Sequence, residues 1–289
     1  MLKNFIKYYY NIDVIEYRKI GENYKLKSIN NNIFWFIEVS DYNEQMLREI
    51  INLYIECSRA IKGFHQLIKS KNGDFKTIYN NKLYILVRYR TQNSKINYKN
   101  IIIEKKYSLL VQNNWLELWE KKIDYLENKY KNDNNNNLGK YFDYFIGLAE
   151  IAIIIQGERE TDRSYELVIQ HKRTATESFL DNPLNLIIDY KVRDLAEYIK
   201  HKYIYDELDY EEIAKIIKLE KFGSYEMKLL VSRILYPTIY FDLYIRSLTE
   251  KKYKLNPKIQ KKLYNYDDFL SKMSRIKELS RYFARVFNK

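Results

Sequence analysis

The chain has 289 residues, 46% of them hydrophobic, with three prolines and seven glycines; this excludes a disordered or fibrous chain and suits one domain of two lobes or two small domains. Its formal net charge is +12, but the excess is mostly lysine interspersed with Asp and Glu, which reads as a solvated basic surface. No zinc knuckle, basic heptad region or aromatic RNA-binding signature accompanies that charge, so nucleic acid is not an expected partner.

The 30 tyrosines come with abundant Asn, Lys and Ile, all favoured by A/T-rich codons, and the bias is read as genomic. Cys57 is the single cysteine. It excludes an intramolecular disulfide and suits a reducing compartment, and its place in a helical pattern makes it an apolar filler. The N-terminus lacks a secretory-type apolar stretch, and nothing approaches the ~18 uninterrupted apolar residues of a membrane span. "LAEIAIII" is too short and carries Glu150. The chain is expected to be made and kept in the cytosol of its cell.

In chain order, residues 13 to 40 alternate as three short strands, turned at Gly21-Glu22-Asn23 and Ser28 to Asn32. A helix follows, with Met46, Leu47, Ile50, Ile51, Tyr54 and Ile55 at helical spacing. Asp41 with Glu44 predicts a capping box for it, and Gly63 a stop. Residues 65 to 90 read as two or three further strands turned at Asn72-Gly73-Asp74 and Asn80-Asn81.

From about residue 100 the pattern becomes helical. Leu110, Trp115, Leu118, Trp119 and Ile123 fall near one face. After the polar connector "DNNNNLG", the stretch "KYFDYFIGLAEIAIIIQGE" is apolar nearly all round and predicts a buried helix. Two apolar runs then flank a polar loop, and amphipathic helices fill the remainder.

This order predicts an α+β chain: a β-rich N-terminal lobe over 1–92 with one helix, and a helical C-terminal lobe over 93–289. That is the plan of a bilobal protein kinase-like fold of the aminoglycoside phosphotransferase type. Phosphoryl transfer in such a frame requires a phosphate loop, a lysine, an aspartate base, and an asparagine and aspartate for magnesium.

Each part has a place to be sought. Gly21 alone offers a phosphate loop between the first strands. The third strand, "NIFWFIEVS", has no lysine, and Glu38 sits where positive charge is expected. Lys25 and Lys27 on the preceding strand are weak substitutes for holding a nucleotide, and alternating exposed lysines on an edge strand are the plainer reading. Glu44 or Glu49 would partner such a lysine; without it each reads as a cap or a solvated residue.

In "VIQHKRTATESFLDNPLNLIIDYKVRDLAEYI", His171 matches a loop histidine with a structural task. Arg173 stands where the catalytic aspartate belongs, and a guanidinium cannot accept a proton at neutral pH. Ser178 falls near the place of the magnesium asparagine, or Asn182 or Asn185 if the loop is longer. Asp189 is the candidate metal aspartate, although one carboxylate is a weak magnesium site and a strand-end Asp in a turn is the plainer reading. Asp194 predicts a capping box with Glu197 and a bracing, structural role. No catalytic residue is assigned; His171, Arg173 and Asp189 form a degenerate loop.

The segments "LYILVRYR", "WLELWEKKIDYLE", "YFDYFIGLAEIAI", "LVIQHKRTATESF", "DYKVRDLAEYIK" and "LLVSRILYPTIYFDLY" span most of the chain. In this order they resemble the spore coat kinase-like proteins of endospore-forming bacteria, the CotS-related group, most closely of YutH type. The resemblance implies the kinase-like fold, with no established phosphotransfer for this branch, and a component of the coat or its assembly. The joint loss of lysine, base and phosphate loop makes the chain read as a pseudokinase with a structural part in the coat. The resemblance further implies synthesis in the mother-cell cytoplasm during sporulation, deposition in the spore coat, and other coat proteins as partners. No cofactor is expected; ATP and magnesium enter only under the alternative, an active small-molecule phosphotransferase with relocated catalytic residues.

Overall fold

The structure, a computed structural model, describes residues 1–60, 65–89, 114–130, 138–157, 167–171, 183–250 and 253–287. Gly63, Leu110, the connector at 132–137, Arg173, Ser178 and Asn182 therefore lie outside the described residues. The chain divides into two compact units, Met1–Val111 with His171–Ile188, and Gln112–Gln170 with Asp189–Lys289.

The first unit opens with a helix that the sequence reading did not assign, α1 (Leu2–Tyr10). Then come β1 (Val14–Ile20), β2 (Asn23–Ser28), β3 (Ile33–Glu38), α2 (Glu44–Ala60), β4 (Gln66–Ile68), β5 (Lys76–Tyr79) and β6 (Lys82–Tyr89). The six strands form one antiparallel sheet in the order β1-β2-β3-β6-β4, with β5 also pairing to β6. Turn chemistry sets the register. Gly21, at φ +59°, is the first of two residues between the paired Ile20 and Asn23, a hairpin position that glycine fills without a Cβ clash. Asn80 and Asn81 are both left-handed between the paired Tyr79 and Lys82.

Four consecutive residues of β6, Tyr84 to Val87, are buried, so this strand is covered on both faces. The core of the unit joins Leu2, Ile6 and Tyr10 of α1 to Leu26, Phe34, Phe36, Tyr84 and Leu86. Phe36 and Tyr84 stack at 4.3 Å. The α2 helix is capped differently from expectation: Asn43, not Asp41, accepts the Met46 N–H on Oδ1 at 2.8 Å, and Glu44 is already helical.

Burial pushes the Tyr10 hydroxyl pKa to about 12, and that hydroxyl bonds Thr77 Oγ1 at 2.8 Å. Tyr10→Phe leaves the Thr77 hydroxyl buried without this partner. We expect a loss of about 1–2 kcal/mol in urea unfolding, largely recovered by adding Thr77→Val.

The second unit is mainly helical: α3 (Trp115–Tyr130), α4 (Phe142–Gly157), α5 (Val192–Tyr205), α6 (Tyr210–Glu220), α7 (Ser224–Leu235), α8 (Thr238–Thr249), α9 (Pro257–Tyr264), α10 (Tyr266–Ser274) and α11 (Lys277–Phe287). Strands β7 (Leu167–His171) and β8 (Leu186–Tyr190) pair as a second, two-stranded sheet, and the division between units runs through both. Helix α7 packs against α4, α5 and α11, making it the centre of the unit.

Two sequence expectations need correction. Helix α4 buries Phe142, Phe145, Ile146, Leu148, Ala149 and Ala152, but Asp143 and Glu150 are exposed and Ile154 in its last turn is 61% exposed. Leu118 is also exposed, because Trp119, Ile123 and Leu126 carry the buried face of α3. Among the described residues, no helix is long and apolar enough to cross a membrane.

Candidate functional site

Strand β8 reads Leu-Ile-Ile-Asp-Tyr, and its first four residues are all buried. Asp189 is 0% exposed. A carboxylate taken fully out of water must find donors and countercharge. Asp189 Oδ2 accepts from Arg233 Nη2 at 2.9 Å and from the Trp115 indole N–H at 2.7 Å. Arg193 Nη1 lies 3.5 Å from the same oxygen, and Oδ1 accepts the Tyr190 backbone N–H at 2.7 Å.

Three helices supply these groups, Trp115 from α3, Arg193 from α5 and Arg233 from α7. The Arg193 guanidinium lies over the Trp115 ring, 3.9 Å from its centroid, and Arg233 is 5.0 Å from the same ring. Trp119, one turn on, stacks flat against Tyr236 at 4.1 Å. Among the described residues, Arg233 Nε and the Tyr236 hydroxyl are buried without a hydrogen-bond partner.

Burial pushes the Asp189 carboxyl above the ordinary carboxylate range, against the pull of Arg233, Arg193, the Tyr190 N–H and the Trp115 indole. Burial, reinforced by Arg233, brings the Arg193 guanidinium down to about 10; Asp189, Glu197 and Asp194 oppose that shift. Arg193 therefore remains a cation at neutral pH.

A second buried ion pair lies further along α5. Lys200, 1% exposed, donates to Glu197 Oε1 at 2.8 Å, to the Tyr236 carbonyl at 3.0 Å and to Thr238 Oγ1 at 2.5 Å. The Thr238 hydroxyl donates to Glu197 Oε2 at 3.0 Å.

The start of α5 also differs from expectation. Lys191 is the N-cap and makes no side-chain cap bond, so Asp194 sits inside the first turn and forms no capping box with Glu197. The Asp194 backbone N–H donates to Gln170 Oε1 at 2.8 Å. Gln170, only 2% exposed, thus braces the helix from β7. His171, next to it, ends β7 half-buried.

The candidates in the first unit are dispersed by role. Lys25 and Lys27 are exposed on β2, with the Lys25 ammonium 5.9 Å from the Trp35 ring centroid. Glu38 Oε1 accepts the Ser40 N–H at 2.9 Å, while its own N–H donates to Asn23 Oδ1 at 2.9 Å. Glu38 thus closes the end of β3 locally. The β1–β2 connection is a two-residue turn, and Glu22 within it pairs with Lys82 at 2.7 Å. Glu44 pairs with Lys76 at 3.5 Å, and Glu49 is half-buried on α2.

Such a turn exposes few backbone N–H groups to cradle a phosphate, and it presents a carboxylate besides. Asp189 accepts three hydrogen bonds on its two oxygens, one of them from the Arg233 guanidinium, and Arg193 adds a second cation. Among the described residues, no three His, Cys, Asp or Glu side chains converge as metal ligands. The sequence reading located Asp189 but missed its partners Arg193, Arg233 and Trp115, and it missed Gln170.

A small antiparallel sheet with two helices, and a mainly helical unit with a buried aspartate on the second strand of a two-stranded sheet, define the aminoglycoside phosphotransferase type of kinase-like fold. A spectinomycin phosphotransferase solved with ADP and spectinomycin has the same fold, with a TM-score of 0.61 and 14% identity over 98% of this chain and 97% of that one. An aminoglycoside phosphotransferase from Alicyclobacillus acidocaldarius gives 0.58 and 10% identity over 96% and 93%.

Over residues 3–279 the chain matches the family described as "Spore coat putative kinase YutH", and it belongs to that family. The endospore coat-associated protein YutH of Bacillus subtilis (strain 168) is 25% identical to it, across 88% of this chain and 86% of that protein.

Proposed function

We propose that this protein is a catalytically inactive, kinase-like component of the spore coat, serving its structure or assembly beside other coat proteins. In this reading it is made in the mother-cell cytoplasm and deposited in the coat. The observation that carries it is the state of Asp189, whose carboxylate is neutralised by Arg193 and Arg233 and capped by Trp115. A magnesium aspartate needs oxygen lone pairs free to meet the ion; here a metal would have to displace buried guanidinium groups. The short β1–β2 turn and the locally engaged Glu38 support the same reading.

The purified protein is expected to show no thermal shift with millimolar ATP, with or without magnesium, and to transfer no radiolabelled phosphate to coat extract. Transfer that disappears in Asp189→Ala, while the variant remains folded by circular dichroism, would overturn the proposal in favour of a small-molecule phosphotransferase.

A further inference from the structure

Strand β1 is an edge. Among the described residues it pairs only with β2, and every residue after Val14 is exposed. Ile15 is 46% exposed, Tyr17 44% and Ile20 40%, apolar side chains distributed over both faces of an open strand. Long exposed edges invite pairing with another chain.

The direction of the free backbone groups follows from the hairpin. Ile20 and Asn23 flank the two-residue turn and so exchange hydrogen bonds. Arg18, two residues back, likewise bonds β2, and Tyr17 and Lys19 turn their N–H and C=O outward. The Ile15 carbonyl faces outward too and accepts from Lys3 of α1.

We propose that β1 pairs antiparallel with β1 of a second copy about a two-fold axis at Tyr17, joining two sheets into one. The sequence Val-Ile-Glu-Tyr-Arg-Lys-Ile is self-complementary in that register alone. Tyr17 meets Tyr17 as an outward, hydrogen-bonding pair, Glu16 faces Arg18 twice, and Ile15 faces the stem of Lys19. Centring on Glu16, Arg18 or Lys19 instead sets like charges directly opposite, which is destabilising. The irregular register between Val14 and Glu16 ends the pairing at Ile15 and guards against longer, slipped alignments. The interface is isologous and closes at two copies, because the two-fold engages the same strand of both chains.

The test is the oligomeric state of the full chain by sedimentation equilibrium over a wide concentration range. Wild type is expected to dimerise. Glu16→Arg alone and Arg18→Glu alone each set two like-charge pairs across the axis and should weaken the dimer about tenfold or more. An equimolar mixture of these two variants, and the chain carrying both changes, should regain wild-type association. Tyr17→Cys should oxidise to a covalent dimer, since opposed hydrogen-bonded residues lie about 5.5 Å apart, within disulfide reach; Cys57 is 1% exposed and does not compete. A monomer at every concentration, or single variants that the mixture does not rescue, would overturn the proposal.

Discussion

Asp189→Ala is expected to destabilise the protein by about 3–5 kcal/mol, because it leaves two buried guanidinium groups without their countercharge. Arg233 is 2% exposed and Arg193 5%, so water does not replace the lost carboxylate. The Trp115 indole N–H and the Tyr190 N–H lose an acceptor as well. A carboxylate kept only to hold a metal predicts the reverse, with stability unchanged or raised on its removal. Urea unfolding followed by tryptophan fluorescence reads the difference directly, since Trp115 and Trp119 lie in this cluster. Combining Asp189→Leu with Arg193→Met and Arg233→Met should recover most of the loss, because a buried ionic cluster replaced as a whole by apolar groups is often neutral.

The strands and long helices were legible because alternation and helical spacing report burial directly. Helix α1 was not read, although Leu2, Phe5, Ile6, Tyr9 and Tyr10 follow the helical period. At nine residues it is too short to hold alone in water and stands on packing against Leu26, Phe34 and Phe36. Asp41 and Asp194 were assigned caps from composition at a helix start. Asn43 won the first by adjacency, and Gln170, from a distant strand, took the second N–H.

The charge cluster was illegible for a different reason. Arg193, Glu197 and Lys200 look like the solvated face of an amphipathic helix, yet they lie beside its core stripe of Val192, Leu195, Ala196 and Ile199. Spacing alone does not reveal that α7 covers that second stripe. The signal was Arg233 itself, set between Leu229, Leu230 and Ile234 in a helix apolar on nearly every side. A lone cation there requires a buried anion, and Asp189 is that anion.

The Glu197–Lys200 pair yields the second large effect. Lys200→Ala removes the donor to Glu197 Oε1, the Tyr236 carbonyl and Thr238 Oγ1 together, and leaves the Glu197 carboxylate short of its counterion. We expect a loss of about 3–5 kcal/mol. The pH dependence separates this pair from simple packing. Burial alone would raise the Glu197 carboxyl, but Lys200, with Arg193 and Arg233, holds it below its ordinary value of 4.5. A carboxyl depressed in the fold binds fewer protons folded than unfolded between the two values. Its contribution is therefore present above pH 4.5 and is lost as pH falls through the folded value. Wild type should lose stability over that acid window, and Glu197→Gln should lower stability at neutral pH while flattening that part of the curve. Urea midpoints measured from neutral pH down into the acid range check both; a Glu197→Gln profile parallel to wild type would assign the acid limb to other carboxylates.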